Sequence, residues 1–134
     1  MNKTFIDKLA YIEIRDRKLL VTLSRGKDTW YIPGGKREEN ETDLEALNRE
    51  VKEELSVNLD LSQAKLYGVF EAQAHGKPEG TVVRMTCYTA PYKGSLLPAA
   101  EIEKMDYFTY SQKNLCSPVD NLIFDDLRSK NIID

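Results

Sequence analysis

Apolar residues recur with two different periods along this chain, and the changes of period mark its elements. From Phe5 to Ile14 they loosely alternate, with Ala10, Ile12 and Ile14 on one side and Tyr11 and Glu13 on the other, which predicts a half-buried strand. Asp16 and Arg17 supply a turn, after which Leu19, Val21 and Leu23 resume the period of two. Residues 5 to 24 are therefore expected to form one long hairpin. A polar loop from Ser24 to Thr29 leads to a short strand, Trp30 to Ile32, which Pro33, Gly34 and Gly35 end in a turn. The period then lengthens. Leu44, Leu47, Val51 and Leu55 make one apolar stripe on a helix, and Thr42 with Glu45 forms the capping box that starts it at Thr42; it should end near Leu55.

Lys65 to Ala74 and Thr81 to Tyr92 are rich in Val, Tyr, Phe and Thr and predict two antiparallel strands joined by a mobile connection, His75 to Gly80. Lys93 to Ala100 reads as a loop and Met105 to Tyr110 as a further short strand. Ser117, Pro118 and Asp120 then signal a second helix, with an N-cap, a first-turn proline and a first-turn acid; Val119, Leu122, Ile123 and Leu127 form its buried stripe. Mixed strands and two helices predict an α/β sandwich, taken as a single domain over residues 1 to 134. Trp30, Phe70 and Tyr88 lie in predicted strands and are assigned to core packing, with stacking on a base as the alternative.

Composition narrows the class. A chain of 134 residues that is 41% hydrophobic and 31% charged has the make-up of a soluble globular protein. Its apolar runs fall well short of the roughly 18 residues of a membrane span, and its first residues lack a signal-peptide core, so a cytoplasmic protein with no membrane partner is expected. Cys87 and Cys116 are far apart and lack a Cys-x-x-Cys spacing, which fits reduced thiols. His75 is the only histidine, which excludes a zinc site built on several imidazoles. A sequence pI near 5.3 and the lack of a basic patch argue against a nucleic-acid partner held by its phosphates.

The acidity is concentrated. Residues 36 to 54 hold eight Asp and Glu against four Lys and Arg, a local charge of −4 in a chain whose formal net charge is −3. On the first helix, Glu50, Glu53 and Glu54 fall within an arc of about 100° beside the apolar stripe. Like charges at this spacing cost about 0.2–0.5 kcal/mol per pair, and acids near a helix C-terminus oppose the macrodipole by ~0.3–1 kcal/mol each. Such a cluster makes sense where a divalent cation neutralises it, and hard Mg²⁺ or Mn²⁺ prefers oxygen ligands. Gly34 and Gly35 allow close backbone approach and add carbonyl oxygens as ligands.

Gly35, Glu41 after five residues, and the run REVKEELSV from Arg49 to Val57 after seven more resemble the signature of the Nudix hydrolases. Only Ser56 departs, standing where the family usually has Gly, at a position that can take a left-handed conformation after the helix. The resemblance implies an α/β/α sandwich with a mixed sheet and hydrolysis of a nucleoside diphosphate derivative. It implies Glu50 and Glu54 as metal ligands, Glu53 as a ligand or the base that orients water, and the Gly34 carbonyl as a further ligand. It also implies that Arg49 pairs with Glu41 and holds a catalytic carboxylate. Arg25 and Lys36 resemble phosphate-contacting positions of MutT-type members, and Glu101, with Glu103 competing, resembles an additional ligand or base. The region of Ala72 to His75 lacks the proline of ADP-ribose enzymes and the tyrosine of diadenosine polyphosphate enzymes. The expected substrate is therefore a nucleoside triphosphate, canonical or oxidised, cleaved to the monophosphate and pyrophosphate. An ADP-ribose or nucleotide-sugar pyrophosphatase and a non-catalytic nucleotide sensor are the alternatives. His75 and Lys77 lie in a loop able to cover a ligand, and the protein is expected to be a monomer or homodimer.

Overall fold

The computed structural model describes residues 3–134. Strand β1 (Thr4–Tyr11) is central to a four-stranded sheet and is flanked on one side by β4 (Gly34–Gly35) and on the other by β7 (Thr81–Thr89), with β6 (Lys65–Gln73) beyond β7. β1 and β7 run parallel while the other pairs are antiparallel, so the sheet is mixed. A second sheet holds β2 (Ile14–Arg15), β3 (Lys18–Ser24) and β9 (Ile102–Phe108), and a two-stranded ribbon pairs β5 (Asn58–Leu59) with β8 (Tyr92–Lys93).

Helix α1 (Asp43–Leu55) and helix α2 (Pro118–Ser129) cover opposite faces. The period of two along β1 divides its side chains between them. Leu9 and Tyr11 meet Ala46, Leu47 and Val51 of α1, while Ala10 and Ile12 join Ile123, Phe124 and Leu127 of α2. This is an α/β/α sandwich. No helix among the described residues is long and apolar enough to cross a membrane.

The long hairpin expected over residues 5 to 24 does not form. Both edges of β1 are taken, by β4 and β7, so none remains for β3; the chain leaves the first sheet at Ile12, whose N–H donates to the Tyr88 carbonyl at 2.9 Å. Only Ile14–Arg15 pairs back on Lys18–Leu19, around Asp16 and Arg17, which both have positive φ as a two-residue hairpin turn requires. β3 pairs with β9 instead. Gly34 and Gly35, expected as a turn, form the edge strand β4, whereas Trp30 and Tyr31 make only isolated bridges. The strand expected from Thr81 to Tyr92 ends at Thr89, and the one expected from Met105 begins earlier, at Ile102. On α2, Leu122 is exposed and Phe124 takes its place in the buried stripe. Trp30 packs on Phe108 with ring centroids 4.9 Å apart.

The capping box at Thr42 forms as expected, with Thr42 Oγ1 accepting from the Glu45 N–H at 3.2 Å and Glu45 Oε1 accepting from the Thr42 N–H at 2.9 Å. At the other end Ser56 is left-handed, with φ 68° and ψ 18°. A non-glycine residue there costs roughly 1–2 kcal/mol. Ser56 Oγ recovers part of it by donating to the Leu97 carbonyl at 3.0 Å. Replacing Ser56 by Ala keeps the strain and removes this bond, whereas Gly removes both. Ser56→Gly is expected to be more stable than Ser56→Ala by about 1 kcal/mol in denaturant unfolding; equal stabilities would show that the left-handed cap is not strained.

Candidate active site

The site forms where β4 meets the last turns of α1. Gly34 has φ +147°, and a Cβ there would lie 1.9 Å from the Leu9 carbonyl oxygen, so only glycine lets β4 close on β1. The Gly34 N–H then reaches across and donates to Glu54 Oε1 at 3.0 Å. At Gly35 a Cβ would lie 2.5 Å from the Glu50 carboxyl carbon, so the two glycines bring the backbone against two carboxylates one helical turn apart.

Arg49 organises the rest. Its Nε and Nη2 donate to Glu41 at 2.7 and 2.9 Å as a two-pronged pair, its Nη1 donates to Glu50 Oε1 at 2.9 Å, and its Nη2 also reaches the Lys36 carbonyl at 3.0 Å. Nη1 lies 3.6 Å from Glu53, one turn further along, and 3.5 Å from Glu38. These bonds hold the Glu41 carboxyl well below the usual range, at about 2, and raise Arg49 in turn.

The two innermost acids are pushed the other way. Glu54 is only 9% exposed, and burial is the largest of the effects that raise its pKa to about 8; the Gly34 N–H partly opposes this, while Glu50, Glu101 and Glu53 add to it. Burial also raises Glu50, with Arg49 opposing. Glu53 has a side chain 56% exposed at the mouth of the cluster.

The loop before β9 is tied to the C-terminus of α1. The N–H groups of Leu97 and Ala99 donate to the Leu55 and Glu54 carbonyls, each at 2.9 Å. Glu101 is thereby carried close enough for its charge to act on Glu50 and Glu54. The Arg25 guanidinium donates to the Ala100 carbonyl and the Arg25 backbone N–H donates to the Glu101 carbonyl at 2.8 Å, so Arg25 binds the loop that carries Glu101. Lys36 has an exposed side chain, and Glu103 is an exposed residue of β9.

Two neighbouring cavities lie beside the carboxylates. Gly34, Gly35 and Glu54 line the first, and His75, Lys77, Ser117 and Val119 line the second; Lys8, Tyr31 and Met85 belong to both. Asp120, expected as a helix-start acid, is completely buried behind them. Its Oδ2 accepts from the Ile32 N–H at 3.2 Å, while Oδ1 and the Ser117 hydroxyl have no hydrogen-bond partner among the described residues. Burial raises the Asp120 pKa to about 7.

Sequence reasoning missed Lys8 and the burial of Asp120. The signal for Lys8 is its place in the row Ile6, Lys8, Ala10, Ile12, a cation within a core-facing period of two. Asp120 gave no comparable signal, because a first-turn acid is normal on an exposed helix.

A NUDIX domain model matches residues 9–122, most of the chain. The chain belongs to the Nudix family. It is a Nudix hydrolase, and hydrolases of this family cleave diphosphate linkages in small molecules and generally require a divalent metal such as Mg²⁺. A search of curated proteins by sequence found no match. Among solved structures, a MutT protein from Methanosarcina mazei is similar with a TM-score of 0.74 at 15% identity, covering 98% of each chain. A MutT Nudix hydrolase from Burkholderia pseudomallei aligns with a TM-score of 0.67 at 22% identity, over 81% of this chain and 86% of that one. A UDP-X diphosphatase has a TM-score of 0.67 at 15% identity, over 98% of this chain and 66% of its own. At these identities the likeness is one of fold.

The raised carboxyl of Glu54 makes the stability of this Nudix hydrolase depend on pH. The folded state keeps this proton up to about pH 8, whereas the unfolded chain releases it near 4.5. Between those values the folded state binds more protons, so stability falls as pH rises. In the presence of a chelator, the melting temperature of Glu54→Gln is expected to gain on that of wild type from pH 4.5 to 8 and then level off. A difference that stayed constant with pH would contradict the raised pKa.

Proposed function

We propose that this Nudix hydrolase cleaves a nucleoside triphosphate to the monophosphate and pyrophosphate, with Mg²⁺ or Mn²⁺ held by Glu50, Glu53 and Glu54 together with the Gly34 carbonyl. The observation that carries this reading is a set of mutually repelling carboxylates, two of them drawn out of water against a glycine backbone, beside a cavity lined by Lys8, Gly34, Gly35 and Glu54. The carboxylates fit a hard divalent cation because each donor is oxygen and because burial and neighbouring acids disfavour the charge on Glu50 and Glu54 without one. Among the described residues no three Asp, Glu, His or Cys side chains are arranged to hold a metal ion, so Glu50, Glu53 and Glu54 would have to draw together around one. When bound, the cation offsets repulsion between acids and phosphates and lowers the pKa of attacking water.

The remaining roles belong to the protein. Arg49 is a positioning residue, holding Glu50 through Nη1 while Glu41 fixes the other side of the guanidinium. Glu53, at the open edge, takes a proton from water or completes the ligand set. Glu101 approaches from the facing loop as an additional base or ligand, and Lys36 offers its ammonium to the outer phosphates. Arg25 serves the phosphates through the same loop, which it fastens. The second cavity receives the base, with His75 and Lys77 at its rim.

A panel of canonical and oxidised nucleoside triphosphates, ADP-ribose, nucleotide sugars and dinucleoside polyphosphates, scored for pyrophosphate against monophosphate, tests the reading. Triphosphates should be cleaved fastest, with release of pyrophosphate and loss of activity on chelation. Glu53→Gln and Glu54→Gln should each lower kcat by about 10²–10⁴-fold while remaining folded. Faster cleavage of ADP-ribose or nucleotide sugars would reassign the substrate, and near-wild-type turnover in both variants would remove the proposed site.

A further inference from the structure

Lys8 has surroundings that its position in the strand does not call for. The period of two along β1 places it in one row with Ile6, Ala10 and Ile12, all of which pack into the core under α2. It is half-buried there, and no hydrogen bond to its ammonium is found among the described residues. Asp120 and Glu54 attract it without forming an ion pair, Lys36 and Lys77 repel it, and burial is the strongest of the effects lowering its pKa. A desolvated cation without a partner is unfavourable by itself, and a strand chosen only for packing would carry an aliphatic residue here.

The same side chain lines both cavities, at the boundary between the wall formed by Gly34, Gly35 and Glu54 and the wall formed by His75, Lys77 and Ser117. A compact ammonium at that junction, short of a partner, matches a phosphate oxygen in charge and reach. We propose that Lys8 is a substrate-binding residue that contacts the phosphate joining the organic group of the substrate to the diphosphate bond that is cleaved. This rests on the reading that the site takes a phosphorylated organic substrate. It gives the junction its own cation, separate from Lys36 at the outer edge and from Arg25, which holds the loop of Glu101.

Lys8→Met keeps the length and apolar stem and removes the charge, and Lys8→Arg keeps the charge. Calorimetric titration with the four nucleoside monophosphates, and with the corresponding nucleosides, measures the phosphate contact without turnover and with no divalent cation added. Lys8→Met should weaken the best monophosphate by about 10–100-fold, as expected for a lost charge-assisted bond, and leave nucleoside binding unchanged. On the best substrate KM should rise by a comparable factor while kcat changes by less than about threefold, and Lys8→Arg should recover part of the loss. The melting temperature of Lys8→Met should equal or exceed that of wild type, because a desolvated cation has been removed.

Monophosphate binding unchanged in Lys8→Met would overturn the proposal. A lowered melting temperature with unchanged binding would do so too, and would make Lys8 a structural counter-ion of Asp120. If wild type binds a monophosphate through Lys8 but hydrolyses no member of the panel, the proposed activity fails and this contact stands. If wild type binds no monophosphate at all, the contact fails as well.

Discussion

Arg49 donates to Glu41, to Glu50 and to the Lys36 carbonyl, and the geometry of the acidic cluster depends on that one guanidinium. Its planar fork can hold a carboxylate with two bonds and still present a third donor to the opposite side, which a lysine cannot do. Glu41, from the loop before α1, fixes the fork; Glu50, on the helix, is fixed by it. The Lys36 carbonyl ties the same group to the chain leaving β4. Three separate pieces of a locally acidic segment are thereby held in register without a hydrophobic core of their own.

The opposing requirement is that two acids be brought out of water. Glu54 accepts from the Gly34 N–H, where the Leu9 carbonyl leaves no room for a side chain, and Glu50 fills the space that a side chain at Gly35 would need. Burial then raises both carboxyl groups while Arg49 lowers Glu41, so neighbouring acids with the same intrinsic chemistry are separated into one paired with a cation and two whose charge burial disfavours. The sandwich supplies the rigid frame, since α1 is anchored on Leu9 and Tyr11 of the strand whose edge receives β4.

The C-terminus of α1 joins this cluster to the opposite side of the site. Ser56 takes the left-handed cap that usually falls to glycine, and its hydroxyl, with the Leu55 and Glu54 carbonyls, binds the loop leading to Glu101. Arg25 closes that loop from β3. A departure from the family pattern thus adds a contact to the segment that carries a charge toward the carboxylates.

Much of the site was legible because it is local. The capping box at Thr42, the stripe of Leu47, Val51 and Leu55, and the arc of Glu50, Glu53 and Glu54 follow from a helical period of 3.6 and need no partner to be read. The glycine pair and the ion-pair partners Glu41 and Arg49 lie in the same short segment. Tertiary structure decided which edges pair: β1 gives its two edges to β4 and β7, so the hairpin expected with β3 has no edge on which to form. It also decided what is buried beyond the helix. Lys8 shows in the sequence only as a cation in a core-facing row and Asp120 only as a helix-start acid, and tertiary packing places the first between two cavities and the second out of water. Periodicity reports which face a residue takes; what that face meets depends on contacts between segments far apart in the chain, and these arise only when the sheet is assembled.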